Sequence, residues 1–361
     1  MPGRAKLRPR ILTIELENNV SVFAFAVLTF FACSGSDAPP APKAAPAKVE
    51  AQKPAEKPAA AAAKSDGIPI RVGWQETWAT QGQLAVILQQ SEILKDLGFA
   101  PEFVGFSYGA PLNEGALAGE VDVLFTADQP AIALCNRDNT WGMIGRLMYN
   151  RVGTFVPPES DVKDVAGLKG KTVAIPFGAA AHRETLGAVK AAGMDPSADI
   201  NAVNMGIKEV AVLAKSKKWD TVHAGSAWDP VFAQLESSGL VRTVAQGLVT
   251  SVVVMDDDYV KANPGADAKF MTAMTKAYEQ YKADTAKANQ AFKTASNLDF
   301  SLEALDLAAS VEPNLGADNP VSVTLSDEDK ANIQKAADFM LDAKILKAAV
   351  DTSTMVRTPS K

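Results

Sequence analysis

Apolar and polar positions alternate along most of the chain in a way that predicts strands and helices in turn. Short runs rich in β-branched residues predict strands over five segments, 68–73, 102–105, 121–125, 200–205 and 221–225. Positions with helical spacing predict helices between them, over 83–97, 112–118, 130–136, 162–168, 209–215 and 230–237. The stretches 143–155 and 241–255 are predicted to be extended, and helix follows helix after Pro264. This alternation predicts an α/β fold with parallel or mixed sheets covered by helices.

The segment 170–185 is expected to join a buried strand to a helix through a tight turn at Gly178. Its first half is an apolar, β-branched run that ends at Pro176, and its second half continues with small residues up to His182. The first free N–H groups of such a helix, at 178–181, point to one place and carry the positive end of the helix dipole. An anion suits that place. The alternative is an ordinary strand–helix corner without a ligand.

Residues 1–66 differ in composition from the rest of the chain. A basic start followed by the short apolar run 20–32 predicts a signal peptide over 1–33, because the run is shorter than the roughly 20 residues that a membrane span needs. The sequence around Cys33 is similar to the lipobox of bacterial lipoproteins, which implies lipidation of that cysteine. The alternative is a free cysteine in a discarded signal. The Ala-, Pro- and Lys-rich segment 34–66 is predicted to be a disordered tether.

The remaining segment, 67–361, is longer than a chain that usually folds around one hydrophobic core, so two lobes are predicted. The net charge is −6 at pH 7, and no basic stripe with aromatic residues occurs, so nucleic acid is not expected as a partner. The two histidines and two cysteines show no metal-ligand or nucleophile–base spacing. No catalytic residue, metal or cofactor is predicted.

Aromatic side chains recur beside amides, hydroxyls and carboxylates in the loops that follow the predicted strands. This mixture is typical of an apolar pocket with a few polar groups that orient a ligand. A single tryptophan at such a place could equally be a packing residue, but Trp74, Trp78 and Trp228 all follow strands. The predicted ligand-binding residues are Trp74, Gln75, Trp78, Phe106, Ser107, Thr126, Asp128, Gln129, Phe177, Gly178, Ala179, Ala180, His182, Trp228 and Asp229.

Several motifs resemble those of one protein family. The run 113–123, followed by Pro-Ala at 130–131, is similar to a signature of type II periplasmic solute-binding proteins, and 164–174 resembles their entry into the second lobe. The turn 177–182 and the Trp-Asp-Pro at 228–230 resemble those of the nitrate/sulfonate/taurine branch. Ala179 stands where that branch usually has serine, so one side-chain donor to an oxyanion is missing.

The resemblance implies a two-lobed type II periplasmic-binding-protein fold, with a mixed sheet flanked by helices in each lobe and a ligand cleft between the lobes. Lobe 1 would comprise 67–156 plus 247–361, and lobe 2 would comprise 157–246. The implied function is capture of a small solute outside the cytoplasm and its delivery to an ABC importer permease. The protein would be a monomer, held at the membrane of the cell envelope by its lipid anchor.

The ligand and the rival function class stay open at this point. A sulfonate or nitrate would use the helix start and His182, a nitrogen heteroaromatic would stack on the tryptophans, and taurine would use both kinds of contact. The resemblance also extends to enzymes that make thiamine pyrimidine or act in menaquinone biosynthesis. In such an enzyme Asp128 and Asp229 could form an acid/base pair. Cys135 lies in an apolar helix, where a buried inert thiol is expected rather than a nucleophile, and a binding protein is the preferred interpretation.

Overall fold

The computed structural model describes residues 67–296 and 299–360. It contains eight strands: β1 Ile68–Gln75, β2 Phe99–Phe106, β3 Val123–Ala127, β4 Trp141–Val156, β5 Thr172–Ile175, β6 Asn201–Asn204, β7 Ala224–Trp228 and β8 Arg242–Asp256. The helices are α1 Gln81–Gln90, α2 Ile93–Asp96, α3 Gly109–Leu117, α4 Asp128–Arg137, α5 Ala180–Ala191, α6 Ile207–Ser216, α7 Val231–Ser237, α8 Asp257–Ala262, α9 Ala266–Ala283, α10 Thr285–Ser296, α11 Leu302–Ala309 and α12 Asp327–Asp342. The predicted signal peptide, Cys33 and the predicted tether lie outside the described residues.

The eight strands form one sheet in the order β2-β1-β3-β8-β4-β7-β5-β6. β4 and β8 pair with each other antiparallel along their whole length. β3 pairs antiparallel with the second half of β8, and β7 pairs antiparallel with the second half of β4. β1 and β3 therefore run in the opposite direction to β5 and β7, so the carboxyl ends of the two strand groups face each other. Ligands of α/β proteins bind at such strand ends.

Four hydrophobic clusters cover the two ends of this sheet. The group β2-β1-β3 packs on one face against α1, α9 and α11 and on the other against α3, α4 and α12. The group β7-β5-β6 packs against α6 and α7 on one face and against α5 on the other. Each group of strands therefore has its own buried core. β4 and β8 run through both, and Ala233 of α7 and Trp228 of β7 also pack into the core of β2-β1-β3.

The α/β class predicted from the alternation is confirmed, and several details differ from the expectation. The helix predicted over 162–168 is only a single 3-10 turn, Ala166–Leu168. The strands form one continuous sheet rather than one sheet in each lobe, because β4 and β8 belong to both ends. The helix predicted over 83–97 is two helices, since the backbone becomes extended at Ser91. β7 begins three residues later than expected and includes Trp228, which the sequence had placed in a loop.

Among residues 67–296 and 299–360, no helix is long and apolar enough to cross a membrane. The same part of the chain contains no group of three or more histidine, cysteine or acidic side chains arranged to hold a metal ion.

Candidate functional site

The start of α5 has the predicted strand–turn–helix form. Gly178 has φ 79°, in the left-handed region, which explains why a glycine stands at the turn. Ala179 is the N-cap residue and α5 begins at Ala180. The N–H of Ala179 donates to the Pro176 carbonyl at 3.3 Å, so one of the four N–H groups expected to be free is already used. Ala180 and Ala181 lie in the first turn of α5, where N–H groups have no intrahelical acceptor.

His182 stacks on Phe177 at this helix start, with ring centroids 4.4 Å apart and an angle of 16° between the rings. Phe177 is 44% exposed and forms the outer side of the pair. The Nδ1 atom of His182 is buried and has no hydrogen-bond partner. Burial lowers the pKa of His182, so the ring is neutral at pH 7 and Nδ1 can either donate or accept, depending on the tautomer.

Two side chains of α4 reach across from the opposite strand group to α5. The Nε2 atom of Gln129 donates to the Gly178 carbonyl at 2.7 Å, while its Oε1 atom is buried without a partner. The Oδ1 atom of Asp128 lies 2.8 Å from Nη1 of Arg183, and both side chains are largely buried. The ends of β3 and β5 are thus connected by one hydrogen bond and one ion pair.

Arg183 is the functional candidate that the sequence analysis missed. It follows His182 directly, and it lies three residues after Ala180, so it shares one face of α5 with the helix start. Its Nε atom also donates to Oε1 of Glu184 at 3.0 Å. Arg183 could have been selected from the sequence, because it is a charged residue in the first turn of a helix that begins at a predicted site. Its pairing with Asp128 could not, because Asp128 is distant in sequence.

The three tryptophans all belong to the hydrophobic packing of the molecule, and one of them also packs beside the helix start. Trp74 and Trp78 are buried in the largest hydrophobic cluster, and Trp228 packs against that cluster. Trp228 also packs against a small cluster that contains Ala180 and Ala181. The structure therefore places Trp228 beside the start of α5. The Nε1 atom of Trp78 is buried and has no hydrogen-bond partner.

The loop between β1 and α1 is strained next to these tryptophans. Thr80, a β-branched residue, has φ 67° and is 1% exposed. Its N–H donates to Oε1 of Gln83 at 2.7 Å, which helps to hold the turn. Such backbone outliers cost on the order of 1–3 kcal/mol and concentrate at binding and catalytic sites.

Most of the other predicted ligand-binding residues in the proposed lobe 1 make contacts within the protein. Gln75 holds the end of β1, since its Nε2 atom donates to the Phe125 carbonyl at 3.2 Å. Phe106 lies over Gly115 of α3, where an added Cβ would come within 2.6 Å of the ring. The carbonyl of Ser107 accepts from Oγ1 of Thr77. Thr126 is fully buried with an unpartnered Oγ1. Of these four residues, only Thr126 has a buried polar atom left for another partner.

Asp229 was expected to face a ligand, but its contacts lie inside the protein. Its two oxygens accept from Nε and Nη2 of Arg151 at 2.8 and 3.2 Å. Oδ1 also accepts from the N–H of Ala233 in the first turn of α7. The side chain is fully buried, and this burial raises the pKa of Asp229 to about 6 against the opposing effect of Arg151. These contacts give Asp229 a structural role in holding β7 and α7 to β4.

Cys135 is buried, as the apolar helix predicted. Burial raises the pKa of its thiol to about 12, so the thiolate that a nucleophile requires is scarcely present at neutral pH.

Comparison with known proteins gives a consistent result. Residues 117–288 match the family described as NMT1/THI5 like. A protein of Brachyspira hyodysenteriae, named as an ABC transporter periplasmic binding protein, is 24% identical over 276 residues, which is 69% of this chain and 76% of that protein. An aliphatic sulfonates-binding protein of Escherichia coli is 26% identical over 214 residues, 58% of this chain and 63% of that protein.

Solved structures share the fold at low sequence identity. The alkanesulfonate-binding protein SsuA of Xanthomonas axonopodis pv. citri, bound to MOPS, superposes with a TM-score of 0.68 and 21% identity, covering 81% of this chain and 99% of that one. A desulfurization enzyme, DSZB, also has the fold, with a TM-score of 0.57 and 15% identity over 81% of this chain and 96% of that one. The resemblance expected from the motifs is confirmed by these relatives, and the fold alone is compatible with both binding proteins and an enzyme.

Proposed function

We propose that this chain, a relative of the periplasmic sulfonate-binding proteins, is the extracytoplasmic solute-binding component of an ABC importer. The observation that carries the proposal is the unpartnered Nδ1 atom of His182 at the start of α5. A buried polar atom without a hydrogen bond costs about 1–3 kcal/mol. The unpartnered atoms of Trp78, Thr126 and Gln129 lie in the strand-end segments that face this helix start across the sheet. A ligand that supplies donors and acceptors there would recover that cost.

The solute would be bound by closure of two lobes, 67–156 plus 247–361 and 157–246. The Asp128–Arg183 ion pair and the Gln129–Gly178 hydrogen bond join these two parts of the chain, as contacts of a closed form would. The outer strands of each part have their own hydrophobic clusters, while β4, β8 and the start of α7, through Ala233, connect the two parts. Each part can therefore move about these connections. A ligand that contacts both lobes would shift the population toward the closed form.

A small solute with an anionic head, such as a sulfonate, taurine or nitrate, fits the helix start best. The N–H groups of Ala180 and Ala181 and the positive end of the dipole favour a negative charge, and a neutral His182 can donate one further hydrogen bond. Arg183 does not add a free positive charge, because Asp128 and Glu184 neutralise it. The tryptophans would contact the apolar part of the ligand.

The same contacts favour a binding protein over an enzyme. A general base needs a carboxylate free to take a proton, whereas Asp128 and Asp229 are each buried beside an arginine. The raised pKa of Cys135 argues against a thiolate nucleophile.

The test is the affinity of a His182→Ala variant for ethanesulfonate, measured by calorimetric titration. A hydrogen bond to a charged group contributes about 1.5–3 kcal/mol, so affinity should fall roughly ten- to a hundredfold. His223→Ala is the matched control, because His223 is half-buried and its Nδ1 already accepts from the N–H of Thr172. Unchanged affinity in His182→Ala together with a lower melting temperature would assign His182 to packing and remove the support for an anionic ligand.

We further propose that Cys33 carries a lipid and that the segment 34–66 tethers a monomer to the membrane of the cell envelope, within reach of its ABC permease. The apolar run before Cys33 and the Pro- and Ala-rich composition after it support this arrangement. Cys33→Ser should move the protein from the membrane fraction to the soluble envelope fraction. Retention in the membrane fraction with the signal peptide removed would point to a different anchor.

A further inference from the structure

A cavity of about 460 Å³ lies beside the candidate cleft; Arg183 of α5 lines it, but none of the residues 177–182 does. Of the predicted site residues, Asp128 alone lines it. One wall is the face of α5 that carries Glu184 and Gly187, and the opposite wall is α12, with Asn332 and Phe339. The second half of β4, with Val152 and Thr154, and the middle part of β8 form its floor. The cavity therefore lies between the two proposed lobes, along the side of α5 rather than at its end.

The inner end of the cavity carries a net negative charge. Arg183 is shared between two carboxylates, with Nη1 2.8 Å from Oδ1 of Asp128 and Nε 3.0 Å from Oε1 of Glu184. One guanidinium cannot neutralise two carboxylates. Burial raises the pKa of Glu184, and the nearby Asp128 acts in the same direction, against the effect of Arg183.

The second oxygen of Glu184 is the group left for a ligand. Among residues 67–296 and 299–360, no donor forms a hydrogen bond to Oε2. This oxygen lies over the backbone of β8 at Gly247, where an added Cβ would come within 2.1 Å of it. Because residue 247 is a glycine, the Glu184 carboxylate has room to lie at the floor of the cavity.

The rest of the cavity is suited to a short aliphatic chain. Gly187, Ala188 and Ala191 give α5 a face without bulky side chains, and Phe339 supplies an apolar surface opposite. The other charged residue of the lining, Lys335, is exposed, and its Nζ atom donates to Oδ1 of Asn332 at 3.2 Å. Its positive charge therefore lies in solvent, where it is screened from the inner end.

We propose that this cavity is a second binding site, for a small aliphatic solute with a primary ammonium group. The ammonium donates to Oε2 of Glu184, and the aliphatic chain lies between Gly187 and Phe339. A simple carboxylate or sulfonate is excluded from the inner end by the charge of Asp128 and Glu184. Because α5 and α12 belong to different proposed lobes, an occupant would also contact both of them.

Calorimetric titration of the full chain with 1,4-diaminobutane, 4-aminobutanoate and butanoate tests this site. Both amines should bind and butanoate should not. Glu184→Gln should weaken diamine binding at least tenfold, since it removes the negative charge but keeps the shape. Glu159→Gln, at an exposed position outside the cavity, is the matched control and should bind as the original chain does.

Gly187→Leu gives a second, independent test. An added Cβ at Gly187 meets no atom within 4 Å, so the side chain should fill the cavity without disturbing the fold and abolish diamine binding. His182→Ala should leave diamine binding unchanged, which separates this site from the cleft. Equal binding of butanoate and diamine, or diamine binding that survives Gly187→Leu but is lost in His182→Ala, would overturn the proposal.

Discussion

Asp128 and Asp229 occupy matching positions in the two halves of the molecule and have different roles. Each follows a strand whose end faces the other half, each is almost completely buried, and each is paired with an arginine. Arg151, the partner of Asp229, lies on β4, which pairs directly with β7. Arg183, the partner of Asp128, lies on α5, at the opposite end of the sheet. One pair therefore holds β7 to its neighbour β4, a strand that runs through both halves, and the other joins two helices, α4 and α5, that pack on different strand groups.

The comparison shows why a carboxylate at a strand end does not by itself predict a ligand. Both residues were expected to orient a ligand, and both are already paired within the protein. What distinguishes them is the location of the arginine, which is three residues past the helix start in one case and in the adjacent strand in the other. Breaking the two pairs should therefore have different consequences, for stability in one and for lobe closure in the other.

The largest effect is expected from Asp229→Asn. Removing one partner of a buried ion pair costs about 3–5 kcal/mol. Glu236 remains 3.1 Å from Arg151, so we expect the lower end, a loss of about 3 kcal/mol in the free energy of unfolding. Urea denaturation measures it. Glu114→Gln removes the exposed pair with Arg137 and should change stability by less than about 0.5 kcal/mol. Weaker ethanesulfonate binding at unchanged stability would instead show that Asp229 contributes to ligand binding, as the sequence predicted.

A smaller loss of stability, with an added change of shape, is expected from Asp128→Asn. Arg183 keeps Glu184 as a partner, and its Nη1 makes no hydrogen bond to Asp128, so we expect a loss of about 2 kcal/mol, less than the roughly 3–5 kcal/mol for breaking a well hydrogen-bonded buried pair. If the pair joins the lobes, this loss acts on the closed form, and roughly 1.4 kcal/mol changes the ratio of closed to open molecules tenfold. Small-angle scattering without ligand should then give a larger radius of gyration.

The matched control for Asp128→Asn is Asp342→Asn. Asp342 also pairs across the proposed lobes, with Lys190 at 3.2 Å, but both side chains are about 70% exposed. Exposed pairs contribute little, so this variant should keep the original radius of gyration. An equal expansion in both variants would show that burial is not what makes the Asp128 pair important. No expansion in either would argue against lobe closure through these contacts.

Much of the fold was predictable from the sequence, because the patterns that indicate strands and helices lie in residues close together in the chain. The β-branched runs and helical spacings gave the order of elements, and Gly178 marked the turn before α5 correctly, since the turn requires positive φ. The continuity of the sheet was not predictable in the same way. It depends on the pairing of β4 with β8, whose residues are about a hundred positions apart in the chain.

The candidate site was predictable only in part. Aromatic and polar residues at strand ends identified the region, and Trp228 does pack beside the start of α5. The partners of polar groups could not be predicted, because they come from distant segments: Arg151 for Asp229 and Arg183 for Asp128. Which strand-end groups are left without a partner is a property of packing, and it is those groups that indicate a ligand.

The smallest expected effect concerns the protonation of His182. It tests the start of α5 without altering Asp128 or Asp229. Burial lowers its pKa in the folded protein below the ordinary value of 6.5, so as pH falls the unfolded chain takes up a proton first. The stability that the neutral ring contributes is therefore complete above about pH 6.5 and is lost as pH falls through the folded pKa.

The difference in the free energy of unfolding between the original chain and His182→Gln should be constant above pH 7 and should shrink toward pH 5. With saturating ethanesulfonate the decline should be weaker, because a bound anion favours the protonated ring. A difference that grows on acidification without ligand would mean that the folded protein stabilises the imidazolium, and the helix start would then already contain a positive side chain for an anion.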